Sequence, residues 1–142
     1  MRIVQLLPHR ASQEQNALQE MAALRATGYE VIPISAPYPG IKGVIWFETL
    51  GWRKAIRARP DIVSCRDLDT LGAGLKAKRA TGAKLVYDMH DVYSMMVEDD
   101  VPKRLLPLIE RRERKLLLDV DLAITSDEGR GQWLADQGYV YR

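Results

Sequence analysis

Short apolar runs of strand length alternate with stretches of helical periodicity along the whole chain, and few folds accommodate that rhythm. The runs Ile3–Leu7, Tyr29–Ile34, Asp61–Cys65, Lys84–Tyr87 and Leu122–Thr125 read as strands. A first helix opens at Ser12, with Gln15 at capping-box spacing, and places Leu18, Met21, Ala22 and Arg25 on one face. Gly28 stands where that helix needs a left-handed C-terminal residue. The run APYPGIKG (36–43) is turn-rich, and Val44–Arg59 reads as a helix closed by Pro60. Asp69–Thr81 is the next helix, stopped by Gly82. Residues 102–119 are helical, with Pro102 and Pro107 at their start. Thr125 and Glu128 form a second capping-box spacing, opening a helix that runs to Gly138, and Tyr139–Arg142 reads as the beginning of a sixth strand.

Strands alternating with helices imply right-handed βαβ crossovers and a mostly parallel sheet covered on both faces. The expected fold is therefore α/β, a Rossmann-like three-layer sandwich. At 142 residues the chain makes one domain, 1–142. A net charge of +2 gives no support to bulk nucleic-acid binding. The single cysteine, Cys65, excludes an internal disulfide framework and a cysteine-rich zinc site. No stretch approaches the roughly 20 apolar residues that span a bilayer, and MRIVQLLPHR turns polar too early for a secretory signal. These features point to a cytoplasmic protein.

Ligands of such sheets bind outside the carboxyl ends of the strands. Those ends carry His9 and Arg10, then Ser35, then Arg66 and Asp67, then Asp88, His90 and Asp91, and finally Ser126 and Asp127. Several have ordinary structural uses. Asp67 or Asp69, and Ser126 or Asp127, suit the caps of the helices that follow. Arg66 can pair with Asp67, and His9 can sit solvated in a polar loop. The Asp88–His90–Asp91 cluster is different, because no cap calls for three ionisable groups. Asp88 and His90 are two positions apart, so in extended backbone they face the same side, where a carboxylate orients an imidazole.

Sharper motifs are missing. No G-x-G-x-x-G follows the first strand, and neither a Walker A loop nor a G-x-S-x-G elbow occurs. His90 has only His9 as a companion histidine, too few for a zinc or di-metal centre, so no metal is expected. Gly72 and Gly74 in LGAGLK allow a close approach of helix to sheet or to a phosphate, and packing is the commoner reason for such a pair. The segment PKRLLPLIERRERKLLL (102–118) mixes cations with leucines, the composition of a helix that lies on anionic lipid. A solvated helix packing its apolar stripe on the sheet has the same composition.

The run DIVSCRDLDTLGAGLKAKRATGAKLVYDMHDVYS, followed by LIERRERKLLLDVDLAITSDEGRGQWLADQGY, resembles the N-terminal half of GT-B glycosyltransferases, and most closely the retaining family 4. The shared features are Asp88-Met89-His90-Asp91 after a strand, the Glu110–Arg114 helix, and a strand Ala123–Ser126 running into a serine turn. The resemblance implies an acceptor-side domain in an enzyme that moves a sugar from a nucleotide-diphosphate sugar to a sugar, lipid or glycan acceptor, without a metal or other cofactor. It implies that His90 contacts the transferred sugar or the leaving phosphate, with Asp88 and Asp91 orienting it. His9, Arg10, Arg66, Asp67 and Ser126 would meet the acceptor or diphosphate. PHRAS after the first strand lacks the family's glycine pair, and no two glutamates have the spacing of its donor-side E-x7-E motif. The expected partner is therefore a donor-binding C-terminal domain, in cis or in trans, without which the chain is inactive. A non-catalytic Rossmann-like binding module is the rival reading. A membrane-docking module that uses 102–118 at the inner face of the membrane is another.

Overall fold

A computed structural model of the chain describes residues 1–9, 15–90, 98–99, 101–125, 127–136 and 138. Five parallel strands form one sheet: β1 (Arg2–Leu7), β2 (Glu30–Ser35), β3 (Ile62–Arg66), β4 (Lys84–Met89) and β5 (Leu122–Thr125). Their order is β2-β1-β3-β4-β5. The helices between them are α1 (Gln15–Ala26), α2 (Gly40–Trp46), α3 (Trp52–Arg57), α4 (Leu68–Thr81), α5 (Leu106–Leu117) and α6 (Glu128–Asp136). A π-helical segment, Phe47–Gly51, joins α2 to α3, and a 3-10 turn, Lys103–Leu105, precedes α5. The expected α/β Rossmann-like architecture is the one observed.

The strand pattern explains the layers. Val4, Leu6, Val63, Cys65, Leu85, Tyr87 and Met89 alternate onto one face and join Phe47, Leu71, Leu117 and Leu134 in the main core. Burying each large side chain of this set contributes about 1.5–3 kcal/mol. On the opposite face Leu7 and Val31 pack against Ala17 and Met21 of α1 in a second, smaller cluster. The chain thus turns from β1 through α1 to β2 on one side, then returns across β1 to β3 on the other. The β1/β3 boundary is the switch point of a doubly wound sheet, where strand-end loops diverge and leave a crevice.

Local chemistry accounts for the joints. Gly82 takes φ +76° and donates its N–H to Lys78 O at 2.8 Å, a left-handed cap that ends α4. Gly28, at φ +91°, has the conformation expected of it after α1. Gly74 lets α4 lie against the sheet, since a Cβ there would stand 2.1 Å from Cys65 Sγ.

Three local expectations change. Met21 is buried as expected, but Leu18 is 45 % exposed and Ala17 is buried in its place, because the docking stripe runs one position earlier. Helix begins at Gly40 inside the expected loop 36–43, and Gly43 in its first turns packs so closely on Tyr38 O that a Cβ would meet it at 2.5 Å. The start of α6 is capped by Asp127 rather than Thr125: Arg130 N–H donates to Asp127 Oδ1 at 2.9 Å, while Thr125 Oγ1 turns back to Asp127 O. The Ser12–Gln15 cap and the sixth strand at 139–142 involve residues outside those described.

Candidate functional site

Polar side chains gather at the carboxyl ends of β1, β3 and β4, beside the switch point. Arg66 ends β3 with only 8 % of its side chain exposed. A buried guanidinium needs counter-charges, and Glu20 and Asp88 supply them. Nη2 donates to Glu20 Oε2 at 2.9 Å, and Nε and Nη2 both reach Asp88 Oδ2, at 3.2 and 3.0 Å. Glu20 comes from α1 and is held by Gln5 of β1, whose Nε2 donates to Oε1 at 3.0 Å. Burial and the neighbouring Asp88 carboxylate raise the Glu20 pKa, against the pull of Arg66 and His90.

The fourth strand then delivers His90. Its Nε2 stands 3.3 Å from Asp88 Oδ2, so one carboxylate oxygen faces both the guanidinium and the imidazole. Asp67 controls the main chain at the same place. Its N–H donates to Asp88 O at 3.2 Å, and its Oδ1 accepts the N–H of His90 at 3.4 Å. Asp67 holds φ +57°, a conformation costly for a residue with a Cβ, and makes no side-chain bond to the start of α4. Its carboxylate therefore ties β3 to the exit of β4 instead of capping the helix. Burial pushes the Asp67 pKa up to about 6, although the His90 charge and N–H work the other way.

Of the residues singled out in the sequence, Arg66, Asp67, Asp88 and His90 meet in this cluster. His9 stands exposed after β1 with no hydrogen-bond or ion-pair partner among the described residues. Arg10, Asp91 and Ser126 lie outside the described residues. Glu20 and Gln5 are additions. Glu20 had a usable signal: Ala17, Glu20, Met21 and Leu24 follow helical spacing, which puts an acid on the sheet-facing stripe. Gln5 is an amide within an apolar strand, 2 % exposed, and its Oε1 has no hydrogen-bond partner among the described residues.

Chemically, the cluster offers carboxylate acceptors suited to hydroxyl groups and one imidazole whose Nε2 lies 3.3 Å from a carboxylate oxygen. Arg66 is engaged as their counter-ion, and the recess between Gln5, Glu20, Ser64, Arg66 and Asp88 is filled by those side chains. Among the described residues no group of three His, Cys, Asp or Glu side chains is arranged to hold a metal. A groove of about 330 Å³ lies elsewhere, between α4 and α5. Most of its charges are already matched, Lys115 excepted: Glu48 binds Lys76 at 2.6 Å and Arg112 at 2.8 Å, and Asp119 binds Arg79 at 2.7 Å. The rim cluster, where an imidazole lies beside a carboxylate, is the stronger candidate.

No protein-family model matches the chain, and no curated protein matches it.

Proposed function

We propose that this chain is the acceptor-side domain of a retaining glycosyltransferase, which moves a sugar from a nucleotide-diphosphate sugar to an acceptor when a donor-binding domain completes the cleft. The observation that carries the reading is the D-x-H-D run at the end of β4, where Asp88 Oδ2 lies 3.3 Å from His90 Nε2 beside the switch point of a doubly wound sheet. A departing diphosphate accumulates negative charge, and a hydrogen-bond donor held beside it stabilises the transition state. His90 is that donor. Asp88 orients its ring, and Asp67 holds its backbone N–H. Arg66 fixes Asp88 by the buried bonds described above, so it acts on the reaction through Asp88 and not by touching substrate.

The test is turnover in a complete two-domain protein carrying this chain. His90→Ala is expected to lower kcat by about 100-fold or more while leaving the unfolding midpoint unchanged, since the ring is 38 % exposed. Turnover within a few-fold of the parent would contradict the role given to His90. A non-catalytic binding module would show ligand affinity and no transfer in any context.

A further inference from the structure

The side of α5 that faces away from the sheet presents leucines to solvent. Leu108 is 62 % exposed and Leu118 76 %, and Leu105, just ahead of the helix, is 39 % exposed. At about 3.6 residues per turn, Leu108, Arg111, Arg112, Lys115 and Leu118 share one side. Glu113 and Leu117 point the opposite way and are buried. The helix therefore has two apolar surfaces, and only one of them packs on the core.

Charge is concentrated on the same side. The chain as a whole carries +2, yet segment 102–118 holds six cations against two carboxylates, so the rest of the molecule is net acidic. Arg112 is engaged by Glu48, and Arg114 by Glu110. Lys103, Arg104, Arg111 and Lys115 have no ion-pair partner among the described residues, and all four are exposed. A polyanion such as nucleic acid would engage the cations but leave the leucines in water. An apolar protein surface would cover the leucines but leave four cations unmatched. An anionic bilayer surface satisfies both, because acyl chains and headgroups lie a few ångströms apart in depth.

We propose that the outward face of α5 and the turn before it dock on an anionic lipid surface, independently of the reading of the rim site. Leu105, Leu108 and Leu118 enter the boundary of the acyl region, while Lys103, Arg104, Arg111 and Lys115 meet the headgroup anions. No helix among the described residues is long and apolar enough to cross a membrane, so the contact lies in the plane of the surface.

Co-sedimentation of the chain with large vesicles tests this. One set is phosphatidylcholine alone, and the other is phosphatidylcholine with phosphatidylglycerol in equal parts. Binding is expected to the mixed vesicles at low ionic strength and not to the neutral ones. Arg111→Gln with Lys115→Gln is expected to weaken it by roughly five-fold per charge removed. Leu108→Ser with Leu118→Ser is expected to weaken it comparably and to abolish any binding that survives added salt. The same charge removed elsewhere, by Lys42→Gln with Arg57→Gln, is expected to have a smaller effect. All these side chains are exposed, and unchanged melting curves check that the variants fold. Absence of binding to the anionic vesicles would overturn the proposal. So would loss caused equally by the control pair, or indifference to both leucine substitutions, which would mark a general polyanion surface.

Discussion

The two hydrogen bonds that Arg66 gives to Asp88 end on the same oxygen: Nε at 3.2 Å and Nη2 at 3.0 Å, both to Oδ2. His90 Nε2 approaches that oxygen as well, at 3.3 Å. Asp88 is thereby held from two sides, and the buried cation explains how a carboxylate occupies the last turns of a sheet interior.

Removing that cation should be costly. Arg66→Met leaves Glu20 and Asp88 without their shared counter-ion, and the expected loss is about 3 kcal/mol in urea denaturation. Arg66→Lys should lose part of this, because an ammonium cannot reproduce the planar fork that spans two carboxylates. A variant as stable as the parent would show that the ion triad contributes nothing to the fold.

Asp67 should make the fold pH-dependent. Its pKa is pushed up to about 6 in the folded chain by burial, opposed by the His90 charge and N–H and aided by Asp69 and Asp88. In the unfolded chain it is about 3.9. The folded state therefore binds the proton more tightly. The stability this contributes is fully present below about pH 4 and is lost as pH rises through about 6, by about 3 kcal/mol. Asp67→Asn should flatten the stability profile across that window. Asp67→Gly should do so too and also relieve the φ +57° conformation, adding about 1 kcal/mol. An unaltered slope in Asp67→Asn would refute the assignment.

Gly74 should resist even one methyl group. A Cβ would lie 2.1 Å from Cys65 Sγ and 2.9 Å from Leu85 Cδ1, both in the packed core. Gly74→Ala is expected to cost about 3 kcal/mol. Cys65→Ala in the same chain should recover part of it, because it removes the nearest atom, so the two substitutions will be non-additive. Strict additivity in denaturation would mean that α4 shifts as a whole and that the Sγ contact is not the limiting one.

Five strands could be read from the chain because each is a short apolar run between turn residues, and a buried parallel sheet enforces that pattern. Leu122–Thr125 agrees to the residue, and the other strands differ by one or two at their ends. Strand order was not readable, since it depends on which way each crossover turns. Face assignment on α1 failed at Leu18 because a helix with few large apolar residues leaves two adjacent stripes nearly equivalent. The caps failed in an instructive way. Thr125 has the spacing of a cap, but Asp127 sits closer to the free N–H groups and takes the role. Asp67 has the position of a cap and uses its carboxylate elsewhere.

The site was legible where its residues are close in sequence. Asp88 and His90 lie two apart on one strand, so their meeting follows from strand periodicity. Glu20 reaches Arg66 from 46 positions away, and only the packing of α1 across the β1/β3 boundary brings them together. Gln5 became part of the site for the same reason.

The most direct test of the central claim uses the fact that His9 and His90 are the only histidines. A histidine-labelled sample gives two sets of ring signals in an NMR spectrum, assigned with His9→Gln. Titration with a panel of methyl glycosides and short oligosaccharides should move the His90 signals saturably for at least one acceptor. Asp88→Asn should abolish that response while the fold persists. His90 signals that stay still with every sugar in the panel would contradict the reading of this rim as an acceptor site.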